Sequence, residues 1–299
     1  MLMRDSAGWT MDELSKIDDP ATLELVRERW FSGRPCVRID LRVEGVEHDH
    51  DQAIVTLGCR AGPSYEVGNL LHEMAHLVEI PEHRAVERNF GFKFGSAFLS
   101  SLGIQHFATS YQATMREARV WSWQFAVMRD LGLRPDISDL VRPAAWISDF
   151  ENVPGRDQAE KLRFVADVVL TGAHSRTLAM FDEAWDLRVR RLPDLFRERQ
   201  EREDKIGAAF AGDCIRESSY RMADAAASHC VKLRTWTDGD TRVHEVFAEL
   251  GDGTLEGVTV TFDEAEADRY ARRLFGGCEV EVSIATPDLE PSISAPGLR

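Results

Sequence analysis

Residues 72–76 read His-Glu-Met-Ala-His, an HExxH pentad set in the run YEVGNLLHEMAHLVEI. On a helix its two histidines stand four residues apart and project from one face, where both imidazoles can hold a single metal ion. Glu73 turns away from the ligand axis but stays near enough to take a proton from a metal-activated water. These are the parts of metal-assisted hydrolysis. The flanks favour a helix. Gly62, Pro63 and Ser64 read as a turn and N-cap, Glu66 as a first-turn acid, and Pro81 as a stop. Val67, Leu70, Leu71, Met74 and Val78 recur at helical spacing, which marks a face to bury. The plainer reading, a surface helix with two solvated histidines, fits poorly beside so apolar a face.

A mononuclear catalytic site needs a third protein ligand and an open position. The extended motif HExxHxxGxxH fails here, because Glu79 and Glu82 stand where its glycine and last histidine belong and His83 comes one place late. The alternative is an acid from a later helix. ATSYQATMREARVWSWQFAVMRDLGL predicts one, ending near Gly132, with Ala113, Glu117, Trp121, Gln124 and Met128 on one stripe. A carboxylate inside an apolar, aromatic stripe is costly unless coordinated or paired, which makes Glu117 the third ligand. The competing reading pairs Glu117 with Arg84, Arg116 or Arg119. Glu79, Glu82 and Glu87 are lesser ligand candidates.

HExxH with a glutamate on a downstream helix resembles the gluzincin group of zinc metallopeptidases. That resemblance implies Zn²⁺, a water activated by Glu73, and hydrolysis of a peptide bond. The longer stretch HEMAHLVEIPEHRAVERNFGFKFG is similar to the core of the elongation factor P hydroxylase family, over roughly residues 70–125. There the resemblance implies His72 and His76 as ligands, Glu73 as the neighbouring acid, Glu117 as third ligand, and Arg84 with Asn89-Phe90-Gly91-Phe92 as a positioning segment. Between Phe94 and Tyr111 the chain departs from that family, and Thr114 stands where its second acid would be. Two histidines and a carboxylate also describe the facial triad of non-haem iron enzymes, so Fe²⁺ is the alternative to Zn²⁺.

Composition sets the bounds. The chain has 299 residues, 43% hydrophobic and 29% charged, enough for one or two cores. A net charge of −15 argues against nucleic acid as a partner, since phosphate contacts need concentrated Lys and Arg. Five cysteines, scattered and without CxxC spacing, predict reduced thiols of a cytoplasmic protein. No apolar run predicts a membrane span.

Along the chain, residues 1–30 predict a helix. Strands are expected at PCVRIDLRV, where Val37, Ile39, Leu41 and Val43 alternate with polar residues, and at 53–60, with VEGVEHDHD as a polar loop between them. His48, Asp49, His50 and Asp51 of that loop are read as solvated rather than metal-binding. Helices are expected at 157–171, 175–191 and 193–224, and Trp146, Phe150, Phe181 and Trp185 are read as core. Near residue 228 the character changes to three strand-like runs, a short helix opened by Asp263, and a final strand at 280–284.

The expected fold is therefore α+β. A mostly helical, zincin-like domain with a small N-terminal β-hairpin or sheet would occupy 1–227, a compact β-β-β-α-β interaction module 228–287, and a disordered tail 288–299. The expected function is a zinc metallopeptidase acting on a protein or peptide, with Tyr111 or Arg84 (His83 and His106 behind them) stabilising the oxyanion. A metal-dependent side-chain hydroxylase and a metal-stabilised interaction protein, binding a protein partner through the C-terminal module, are the alternatives.

Overall fold

The computed structural model describes residues 20–61, 64–87, 111–133, 153–222, 230–249, 253–275 and 280–285. Trp146, Phe150, His106, Cys278, the Asn89–Phe92 segment, the first nineteen residues and the tail lie outside them. The fold is α+β, and the described chain divides into two compact units between Arg199 and Gln200, earlier than the compositional change at 228.

In the first unit, helix α1 (Pro20–Val26) runs on through a π-helical turn, Arg27–Phe31. Strands β1 (Val37–Asp40), β2 (Val46–Asp49) and β3 (Ile54–Gly58) follow. The sheet order is β1-β3-β2, with β1 parallel and β2 antiparallel to β3. The expected loop at 46–49 is thus a strand, and the hairpin joins β2 to β3. Its alternating charges concealed it: Val46 is buried while Glu47 faces out. The first strand stops at Asp40, three residues early, because the Asp40 carboxylate accepts the Arg42 backbone N–H at 2.9 Å and turns the chain. The turned segment then runs so close to Gly58 that a Cβ there would lie 2.0 Å from the Val43 carbonyl oxygen.

Two short paired strands, β4 (Arg60–Ala61) and β5 (Ser64–Tyr65), lead into α2 (Val67–Glu79). Ser64 is consequently not the N-cap. Glu66 occupies that place without a side-chain cap, and its backbone N–H donates to the Cys59 carbonyl at 2.8 Å. Ile80, just before Pro81, ends the helix. Next come α3 (Tyr111–Asp130), α4 (Gln158–Ser175) and α5 (Leu178–Ala211). Gly132, at φ +76°, closes α3. Val67, Leu70, Leu71, Met74 and Leu77 of α2 pack with Trp30, Val55, Leu57, Val120, Trp123, Phe181 and Trp185 into the main core. The Trp185 indole donates to the Trp30 carbonyl at 2.9 Å and that of Trp30 to Asp182 at 2.8 Å, so both large rings are buried without an unpaired N–H.

In the second unit, strand β6 (Asp213–Met222) replaces the expected continuation of helix. Helix α5 ends at Ala211, and Gly212 passes so close to Thr237 that a Cβ would lie 2.0 Å from its carbonyl oxygen. Strands β7 (Cys230–Thr237), β8 (Arg242–Glu249) and β9 (Leu255–Thr261), helix α6 (Glu264–Arg273) and strand β10 (Val280–Ala285) complete an antiparallel sheet of order β10-β6-β7-β8-β9. The expected β-β-β-α-β elements are present, with β6 inserted between the last strand and the first. Tyr220, Val231, Leu233, Val246 and Ala248 pack under Ala267, Ala271 and Phe275. Asp263 caps α6 by accepting the N–H groups of Ala265 and Glu266. Cys36, Cys59, Cys214 and Cys230 are free thiols. No helix among the described residues is long and apolar enough to cross a membrane.

The β2 strand supplies a test. His48 Nε2–H donates to the Ala85 carbonyl at 3.0 Å, and burial, only partly opposed by that bond, pushes its pKa down to about 4. Between pH 6.5 and 4 the unfolded chain therefore binds a proton that the folded chain does not, so stability is full above pH 6.5 and falls as pH drops toward 4. In chelator, denaturant unfolding at pH 7 and pH 4.5 should show His48→Gln losing less stability than wild type, by roughly 2 kcal/mol.

Candidate metal centre

Helix α2 sets its histidines on the edge of its buried face: His76 is 8% exposed and His72 only slightly more open. Helix α3 crosses α2 and brings Glu117, also 8% exposed, against both. His72 Nε2 lies 3.3 Å from Glu117 Oε1, His76 Nε2 lies 3.4 Å from Oε2, and the two Nε2 atoms face each other at 3.1 Å. Among the described residues these three side chains form the group of donors able to hold a metal ion.

The spacing can be tested against a metal. Tetrahedral bonds of about 2.0–2.1 Å place donor atoms about 3.3–3.4 Å apart, and an octahedral face of similar bond length about 3 Å apart. The observed contacts of 3.1, 3.3 and 3.4 Å span these values. Four atoms take part, the two Nε2 and both Glu117 oxygens, and a proton or a metal ion between them would offset their mutual repulsion. The donor set therefore fits a divalent ion and admits either Zn²⁺ or Fe²⁺.

The surroundings orient the donors. Gln124 sits on α3 two turns after Glu117 and is 4% exposed. His72 Nδ1–H donates to its Oε1 at 3.2 Å, while the amide nitrogen faces Met128 Sδ at 3.8 Å. That bond keeps a proton on Nδ1 and would leave the Nε2 lone pair for a metal ion. Gly68 gives Gln124 its room, since a Cβ there would come within 3.3 Å of the amide nitrogen. The Trp121 ring lies against His72, centroids 4.3 Å apart. Its indole N–H helps hold the Glu117 carboxyl down without reaching hydrogen-bond geometry. The sequence stripe contained Gln124 and Trp121, but nothing in the spacing gave them roles beyond packing.

Charge follows this geometry. Burial opposes the Glu117 charge, yet the two imidazoles outweigh it and hold the carboxyl at about 2. Burial likewise opposes a proton on His72, but the hydrogen bond and charge of Glu117 prevail and raise it. His76 is pushed down to about 4 by burial. Glu73, beside the triad, is raised to about 7, by burial first and then by the Glu117 charge against the pull of His72. A carboxyl near neutrality is suited to accept and return a proton.

The expected competitors find other partners. Arg119 pairs with Glu79, whose second oxygen accepts the Trp123 indole N–H at 3.0 Å. Glu82 meets Arg191 at 3.6 Å. Glu117 is thus not paired with Arg119, and Glu79 is occupied. Arg188, from α5, donates to the carbonyls of Val78 at 3.3 Å and Ile80 at 2.6 Å, closing the C-terminal end of α2. Tyr111 opens α3, with its side chain outside the described residues. Arg84 lies in the 3₁₀ turn Glu82–Arg84 after α2, and His83 is exposed.

No protein-family model, curated protein or solved structure matches this chain. Glu117→Ala should abolish stoichiometric binding of Zn²⁺, and Gln124→Ala should weaken it about 10–100-fold, as read by competition with a chromophoric chelator.

Proposed function

We propose that this chain is a metal-dependent hydrolase of the zinc-peptidase type. The observation that carries this reading is the convergence of His72, His76 and Glu117, with Glu73 alongside at about neutral pKa. His72, His76 and Glu117 would hold the ion, which when bound supplies a Lewis acid that acidifies water and polarises a carbonyl. Gln124 holds the His72 ring and its tautomer. Glu73 would accept a proton from the attacking water on its carboxylate and return it to the leaving amine. Among the described residues three donors come together, a number that suits a catalytic site with an open position, whereas a structural zinc site is closed by four protein ligands. The second reading, a metal-dependent side-chain hydroxylase, draws on the same two-histidine, one-carboxylate set.

Two measurements decide. Elemental analysis of the purified chain distinguishes zinc from iron. Glu73→Gln should keep its metal and lose at least about 100-fold in peptide hydrolysis. Wild-type hydrolysis by that variant, or oxygen consumption by an iron-loaded chain without cleavage, would replace this proposal.

A further inference from the structure

Among the described residues, the tryptophans have paired indole N–H groups with one exception. Trp30 donates to Asp182 at 2.8 Å, Trp123 to Glu79 at 3.0 Å, Trp185 to the Trp30 carbonyl at 2.9 Å, and Trp236 to Glu245 at 3.0 Å. Trp121 breaks the pattern. Its Nε1 is buried, and among the described residues it has no hydrogen-bond partner. Buried polar groups in native proteins are nearly always paired, so this orphan calls for an explanation.

The orphan stands at the metal triad. The Trp121 and His72 ring centroids are 4.3 Å apart, and Glu117 Oε1 lies 3.3 Å from Nε2 of the same imidazole. Trp121 follows Glu117 by four residues on α3, the spacing that sets one side chain above the other. The indole also counts among the groups that hold the Glu117 carboxyl low. Without an ion, the Glu117 oxygens lie 3.3 and 3.4 Å from the two Nε2 atoms, and the His72 hydrogen bond supports the charge. An Nε2 that binds an ion has no N–H to donate. A carboxylate that gives one oxygen to that ion is left with a second, buried oxygen in need of a new donor. The unpaired indole N–H stands one helical turn away.

We propose that Trp121 is a positioning residue of the metal centre, its indole N–H closing onto the Glu117 oxygen that a bound ion leaves free. The inference rests on the metal-centre reading above and deepens it by naming what holds the carboxylate. Gln124 orients His72 from behind, and Trp121 does the same for Glu117. Holding that oxygen keeps Glu117 on the ion through one atom, which preserves the open position that hydrolysis needs.

The test uses the full chain labelled with ¹⁵N-tryptophan, the Trp121 indole resonance being assigned by through-bond correlation. Stoichiometric Zn²⁺ should move the Trp121 indole proton downfield, the signature of a new charge-assisted hydrogen bond. Trp121→Phe keeps an aromatic ring beside His72 and removes the N–H. It should weaken Zn²⁺ binding about tenfold or more, as read by chelator competition. A ring that served packing alone would lower stability in chelator and leave the wild-type indole proton where it was. An indole proton that stays in place or moves upfield in zinc-saturated wild type therefore overturns the proposal, whatever the variant does. Wild-type zinc affinity in Trp121→Phe overturns it as well, and both results leave the metal centre standing. Failure of the wild-type chain to bind zinc would instead overturn the metal-centre reading, and this inference with it.

Discussion

The meeting of one carboxylate with two imidazoles governs this molecule. Glu117 belongs to α3 and the histidines to α2, and at 3.3 and 3.4 Å the buried carboxylate finds its partners across the two helices. The His72 hydrogen bond and the charge of the two imidazoles offset the burial of the Glu117 carboxylate. The rest of the first unit can be read as the means of holding the two helices in that crossing. Val67, Leu70, Leu71 and Met74 bury the inner face of α2, and Val120, Trp123 and Val127 do the same for α3. The desolvated site then follows from ordinary hydrophobic burial of its flanks.

Polar contacts fix the register that burial alone leaves loose. Arg119 and Trp123 both reach Glu79, one on each carboxylate oxygen, which ties α3 to α2 one turn past His76. Arg188 closes the last carbonyls of α2 from a third helix. Gln124 reaches His72 directly. Hydrophobic contact is non-directional, whereas these bonds are lost by a shift of an ångström. The three side chains therefore stand on two helices whose relative rotation is set where α3 reaches Glu79 and His72. Such a frame holds the three side chains in a fixed mutual placement.

Much of this was legible in the chain. A helix period of 3.6 puts residues four apart on one face, so His72 and His76 followed from spacing. Glu117 followed from the cost of a charge in an apolar stripe. Misreadings came where two patterns competed. Val46–Asp49 carries alternating charge and reads as a loop, yet pairing with β3 satisfies its backbone. Asp213–Met222 reads as a continued helix because its residues are polar, yet Gly212 turns the chain and β7 supplies a partner. Ser64 reads as a cap, yet it pairs with Ala61 instead. In each case a hydrogen-bond partner distant in sequence overrode the local preference, and local preference is worth too little per residue to resist.

Residue spacing alone determined that this chain has a helix bearing two imidazoles, a nearby acid, and a later helix with a buried carboxylate, because these properties repeat within a few turns of backbone. Only the tertiary structure decided which acid meets the histidines, that Glu79 is taken by Arg119 and Trp123, and that Gln124 orients His72. It also decided that Glu73 titrates near neutrality, since that value comes from burial and from the charge of Glu117, 44 positions further along the chain. Contacts across such separations depend on how helices cross, and the angle of crossing is a property of the packed whole.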